Sequence, residues 1–185
     1  MREATAAVVA LAGRRIDAPD TEQPCFPLEN VPMVRQRLAA LLEAESAVAL
    51  VCSAACGADL VALEEAERLG LKRRIVLPFA PERFRQTSVT DRPGDWGPLF
   101  DRFTAFAKAS GELVVLDAGE GDAAYAAANE AIVQEAQKLA KGSGLSRLLA
   151  VVVWEGAAKI GNDASEDFRV LATRAGFEEC SVPTS

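Results

Sequence analysis

Short apolar runs separated by segments of helical periodicity constrain this chain more than any other feature of its sequence. The run Thr5–Ala12 is continuous rather than alternating, and Leu148–Trp154 reads Leu-Leu-Ala-Val-Val-Val-Trp. Unbroken runs of this length suit strands whose sheet is covered on both faces. Further strands are expected over Ser46–Cys52, Arg74–Leu77, Glu112–Leu116 and Phe177–Val182. Between them, Val34, Leu38, Leu41 and Leu42 fall at helical spacing, which predicts an amphipathic helix over Pro32–Ala44 with proline at its entry. Helices are likewise predicted over Gly57–Leu69, Trp96–Ala109, Asp122–Ala140 and Asp163–Ala175. This alternation predicts an α/β fold: a single Rossmann-like three-layer domain over residues 1–185, with a mostly parallel sheet of about six strands.

Connection lengths then locate a site. Turns from helix to strand are short, as at Ala44–Glu45 and Ser110–Gly111, whereas Gly13–Val31 and Pro78–Asp95, from strand to helix, are long. In a parallel sheet the long connections all lie at the carboxyl edge of the strands, where open α/β sheets bind ligands. Loops of such length inside a small domain usually carry function. In chain order the two longest flank a turn of small residues, Ser53-Ala54-Ala55-Cys56-Gly57, between a strand and a helix start. Unpartnered N–H groups and the helix dipole favour an anion there, and small side chains admit it close to the backbone.

Around that turn the candidate binding residues are Gly13, Arg14, Arg15, Ser53, Ala54, Ala55, Cys56, Gly57, Asp59, Pro78, Phe79, Arg83 and Arg85. The arginines offer guanidinium forks to phosphate or carboxylate, and one of each pair is expected to face the cleft. Asp59 stands in a first helical turn, where it either meets a ligand or stabilises the helix start. Cys56 is placed to be a low-pKa thiol at a helix N-terminus. Phe79 offers either a stacking face or a buried loop anchor. Later edge loops are acidic, with Asp117, Glu120, Asp122, Glu155, Asp163 and Asp167. Such carboxylates suit ribose hydroxyls, a metal or general-base work, and Asp163 reads best as the N-cap of the last helix.

Composition removes several classes of function. There is no histidine, so Ser-His and Cys-His catalysis and imidazole metal sites are excluded. The formal charge of −7 opposes a general nucleic-acid surface. Cys25, Cys52, Cys56 and Cys180 lack metal-ligand spacing, so no metal site is expected and they read as small hydrophobes in a reducing compartment. No signal peptide or membrane span is visible, which makes the cytoplasm the simplest location.

Cys52-Ser-Ala-Ala-Cys-Gly-Ala-Asp59, the following Leu-Val-Ala-Leu-Glu-Glu-Ala and Ile75-Val-Leu-Pro-Phe79 together resemble the SLOG superfamily. These are Rossmann-like domains related to Smf/DprA and LOG proteins, with YspA-like and molybdenum-cofactor-carrier-like branches. The likeness extends through Gly13-Arg-Arg-Ile-Asp17, Pro78-Phe-Ala-Pro-Glu-Arg-Phe84, Tyr125-Ala-Ala-Ala-Asn129 and Val153-Trp-Glu-Gly156, and so spans nearly the whole chain. It implies a nucleotide or nucleotide-derived phosphorylated ligand at the carboxyl edge, with Ser53–Gly57 against a phosphate. LOG-type members cleave nucleoside monophosphates using a Pro-Gly-Gly-x-Gly-Thr run, which is missing here, and Ala54 and Ala55 stand where the usual phosphate loop has glycines. Both departures favour binding or sensing over catalysis. The alternatives are a LOG-like N-glycosidic hydrolase or transferase, with Glu155 or Asp117 stabilising a ribosyl cation, and a protein-interaction scaffold. LOG-like relatives are often dimers, which implies a homodimer here.

Overall fold

Six strands carry the chain: β1 (Ala7–Gly13), β2 (Ala47–Cys52), β3 (Lys72–Leu77), β4 (Leu113–Val115), β5 (Arg147–Trp154) and β6 (Glu178–Pro183). In the computed structural model, which describes residues 5–185, they form one sheet in the order β4-β3-β2-β1-β5-β6. Every neighbouring pair is parallel, so the sheet is wholly rather than mostly parallel. The helices are α1 (Val31–Ala44), α2 (Ala58–Arg68), α3 (Pro81–Ser88), α4 (Gly97–Ala109), α5 (Gly121–Gly142) and α6 (Ala164–Arg174).

The continuous apolar runs are explained by two cores. Val9 and Leu11 of β1 pack with Leu38 of α1, Leu60 and Leu63 of α2 and Phe103 of α4 on one face. Val8 and Ala10 pack with Ile132 and Ala136 of α5 and Phe168 of α6 on the other. Successive β1 residues therefore alternate between two apolar layers, and neither set can be polar.

One connection differs from the sequence expectation. The stretch Phe79–Gly94, expected to be irregular, holds α3. Phe84 and Ser88 are its buried residues, so it lacks the repeating apolar face that marks a helix in sequence. Its start signals are local: Pro81 in the first turn followed by Glu82. The long connection after β1 is pinned rather than loose. Both Asp17 carboxylate oxygens accept the N–H of Cys25, one also accepts that of Phe26, and Ile16 and Phe26 are buried. A single 3-10 turn, Leu28–Asn30, then delivers the chain to α1.

From β1 the strands step outward through β2, β3 and β4, and α5 returns the chain to β5 on the other side of β1. The order therefore reverses between β1 and β5, the position where doubly wound sheets open a crevice. Cys52 and Cys56 are buried, whereas Cys25 and Cys180 are half-buried, and all four are free thiols. Among the described residues no helix is long and apolar enough to cross a membrane.

Candidate functional site

Two adjoining hollows lie at the carboxyl edge. An open cleft of about 880 Å³ occupies the crevice between β1 and β5, between Gly13–Ala18 on one side and Glu155–Ser165 on the other. A smaller cavity of about 270 Å³ lies beside it, over the ends of β1 and β2 and against α5. Gly13, Arg15, Ala164 and Ser165 line both. Leu11, Ala12, Phe84, Ala128 and Ile132 give the cavity apolar walls, and Ser53, Asp59, Ser88, Tyr125, Asn129 and Ser165 supply its polar groups. An apolar hollow with a few converging polar groups is the usual composition of a small-molecule site.

The small-residue turn builds the cavity floor, but two of its amides, and that of the first helical residue, are already engaged. The N–H of Ala55 donates to Asp59 Oδ2 at 3.1 Å, that of Cys56 to the Ser88 carbonyl at 3.0 Å, and that of Ala58 to the Arg14 carbonyl at 3.1 Å. Asp59 thus folds its own carboxyl back into the turn. Gly57 makes this geometry accessible: its φ is +98°, and a Cβ there would lie 2.8 Å from the Arg14 carbonyl oxygen and 2.9 Å from Ile16 N. Gly13 serves the same closeness from the β1 side, where a Cβ would meet the Val153 carbonyl oxygen at 2.5 Å.

Asp59 is 7% exposed. Burial pushes its carboxyl up to about 7, and the Ala55 N–H offsets only part of that. Ser53 Oγ is buried without a hydrogen-bond partner among the described residues. Ser88 Oγ and Tyr125 Oη form a hydroxyl pair at 3.0 Å, and Asn129 donates to the Ala164 carbonyl from α5.

The arginines divide differently from expectation. Arg14 does not offer a free charge to a ligand: its guanidinium, 6% exposed, binds Glu155 through Nε and Nη2 and Asp163 through Nη1 and Nη2. Burial acts to raise both carboxyls, but the Arg14 bonds outweigh it; Glu155 is lowered, and Asp163 falls to about 2 with help from the Lys159 N–H. Asp163 also caps α6, accepting from the N–H groups of Ser165 and Glu166. Arg15 is the one that reaches the cavity. It binds both oxygens of Asp91 at 2.8 Å, and Arg92 Nε lies 3.6 Å from the same carboxylate without a hydrogen bond. Two guanidinium groups therefore share one carboxylate, leaving one positive charge in excess where the hollows meet.

Arg83 and Arg85 line neither hollow. Arg83 pairs with Glu120 over the Phe79 ring, and Arg85 pairs with Asp101 on α4. Phe79 is a buried anchor packed against Phe84 and Tyr125. Cys56 is no activated thiol: burial pushes it up to about 11. Glu155 is tied to Arg14, and Asp117 borders a separate shallow groove beside α5, so neither suggested catalytic carboxylate enters the cavity. Among the described residues no group of three His, Cys, Asp or Glu side chains could hold a metal ion.

Sequence reasoning passed over Ser88, Asp91, Arg92 and Ser165, and used Tyr125 and Asn129 only as points of resemblance. A usable signal existed for the last two: they lie four apart on α5, where Ala124, Ala128, Ile132 and Ala136 define the buried face. Polar side chains beside such a stripe point to a hollow. Compared with models of protein families the chain matches none, and no curated protein matches it.

Proposed function

We propose that this chain binds or senses a nucleotide or nucleotide-derived phosphorylated ligand, as a SLOG-type domain would, with the ligand lying across the cavity and into the cleft. One observation carries this reading. Apart from two atoms of Arg73, the buried side-chain polar atoms without a partner among the described residues are Ser53 Oγ in the cavity and Arg92 Nε in the cleft. Unsatisfied buried groups are uncommon and costly in folded proteins. Each lines one of the two hollows, and Arg15 is a cation that lines both. A ligand with a hydroxyl-rich or ring portion and a phosphate would satisfy both at once.

The phosphate belongs at the Arg15–Asp91–Arg92 corner rather than against the amides of residues 53–57, because those of Ala55 and Cys56 already have acceptors. Thermal melting against a panel of nucleoside monophosphates and dinucleotides tests this. At least one should raise the melting temperature, and Arg92→Ala should weaken its binding about tenfold, the value of one charge-assisted hydrogen bond. A panel that leaves the melt unmoved removes the proposal.

A second reading, cleavage of the ligand's N-glycosidic bond, is favoured by Asp59 alone: a buried carboxyl near 7 can hold a proton for a leaving base at neutral pH. Incubation with the nucleotide that binds best should then release free base, and an unchanged nucleotide leaves binding as the function.

A further inference from the structure

The turn that the sequence marks for an anion contains an acid instead, and this bears on what enters the cavity. Among the described residues no cation pairs with Asp59. Arg15, from the β1–α1 connection, is held by Asp91. Tyr125 from α5 is bonded to Ser88 of α3, α6 contributes Ala164 and Ser165, and Cys52 of β2 lies close enough to feel the Asp59 charge. An ionised carboxylate here would be buried without a counter-ion, a costly state. One carboxyl oxygen accepts from Ala55, and the other has no partner among the described residues. The cavity is also much larger than a phosphate needs; at about 270 Å³ with apolar walls it suits a flat ring.

Resting on the nucleotide-binding reading, we propose that the cavity takes the uncharged heterocycle of the ligand edge-on, pairing an adjacent N–H donor and acceptor with Asp59 in its carboxylic-acid form, so that binding is coupled to proton uptake. A neutral carboxyl presents one O–H donor and keeps acceptor capacity, which matches a ring nitrogen or carbonyl beside an N–H. The burial that holds the Asp59 carboxyl near 7 keeps about half the free protein in that form at neutral pH. The sign follows: the competent form is present below pH 7 and is lost as pH rises, so the apparent dissociation constant grows as its fraction falls.

Calorimetric titration with adenosine, inosine and uridine tests this on the wild-type chain, because nucleosides lack the phosphate that itself titrates near pH 6. In two buffers of different ionisation enthalpy at pH 7, about half a proton should be taken up per nucleoside bound. Affinity should fall about thirtyfold from pH 6 to pH 8.5. Asp59→Asn, checked for folding by thermal melting, should bind with affinity independent of pH. Proton release, or constant wild-type affinity across that range, overturns the inference while nucleotide binding stands. Nucleotides that bind while no nucleoside does at pH 6 likewise overturn it alone. Failure of nucleosides and nucleotides alike at pH 6 overturns it together with the reading beneath it.

Discussion

Two buried carboxyls, one lining each hollow, behave oppositely, and the difference is set by their neighbours. Asp163 has Arg14 and several N–H groups, so its folded pKa of about 2 lies below the ordinary 3.8. Its ionisation therefore contributes stability above about pH 4, and that contribution is lost as pH falls toward 2. Asp59 is buried with a single N–H donor, so its folded value of about 7 lies above 3.8. Its contribution is complete below about pH 4 and is lost as pH rises through 7, a change on the order of 4 kcal/mol. Asp59→Asn should therefore stabilise the chain at pH 8 by a few kcal/mol and do little at pH 4, as read by urea unfolding at both values. An equal effect at the two would contradict the neutral acid. Arg14→Met should cost about 3–5 kcal/mol at pH 7, because it leaves two carboxylates buried without their cation. A Glu155→Gln, Asp163→Asn background should recover part of that loss in the same assay, and no recovery would assign the damage to packing instead.

At the scale of elements, the strand–turn–helix unit from β2 to α2 is the most demanding piece of the fold. Its turn touches the β1 connection through Gly57, whose missing side chain and positive φ together permit the approach of Arg14 and Ile16. Gly57→Ala should destabilise the chain by about 2–4 kcal/mol, from left-handed backbone strain plus overpacking, and a near-neutral melt would show that the turn has room to shift. How far such elements could be read in advance depended on their packing. β1 and β5 were legible because both faces are buried, and α1, α2 and α6 because an apolar stripe meets a clear stop or cap, Gly70 and Asp163 among them. α3 was not, because Phe84 alone anchors it to the core at the large-residue level. The site was half legible: small residues located the turn, but hydrogen bonds formed only after folding decide whether its amides are free. Arg14 and Arg15 are adjacent and chemically identical, and only the positions of Glu155, Asp163 and Asp91 bury one in a structural ion-pair cluster and leave the other lining both hollows.

At the scale of the whole molecule, the path of the chain gathers the site. Three strands step one way from β1, α5 carries the chain back, and β5 and β6 complete the sheet on its other side. The first and fifth strand ends thereby open the cleft, while the returning helix brings Tyr125 and Asn129 to the cavity. With a net charge of −7, the corner of Arg15 and Arg92 is a local exception rather than part of a basic face, which suits one small anion better than a polyanion. The most direct measurement is a crystal structure of the chain grown with the nucleoside monophosphate that best raises its melting temperature. The ring should lie in the cavity within hydrogen-bond distance of Ser53 Oγ and Asp59, with the phosphate at Arg15 and Arg92. Ligand density elsewhere on the molecule, with the cavity holding only water, would contradict the account.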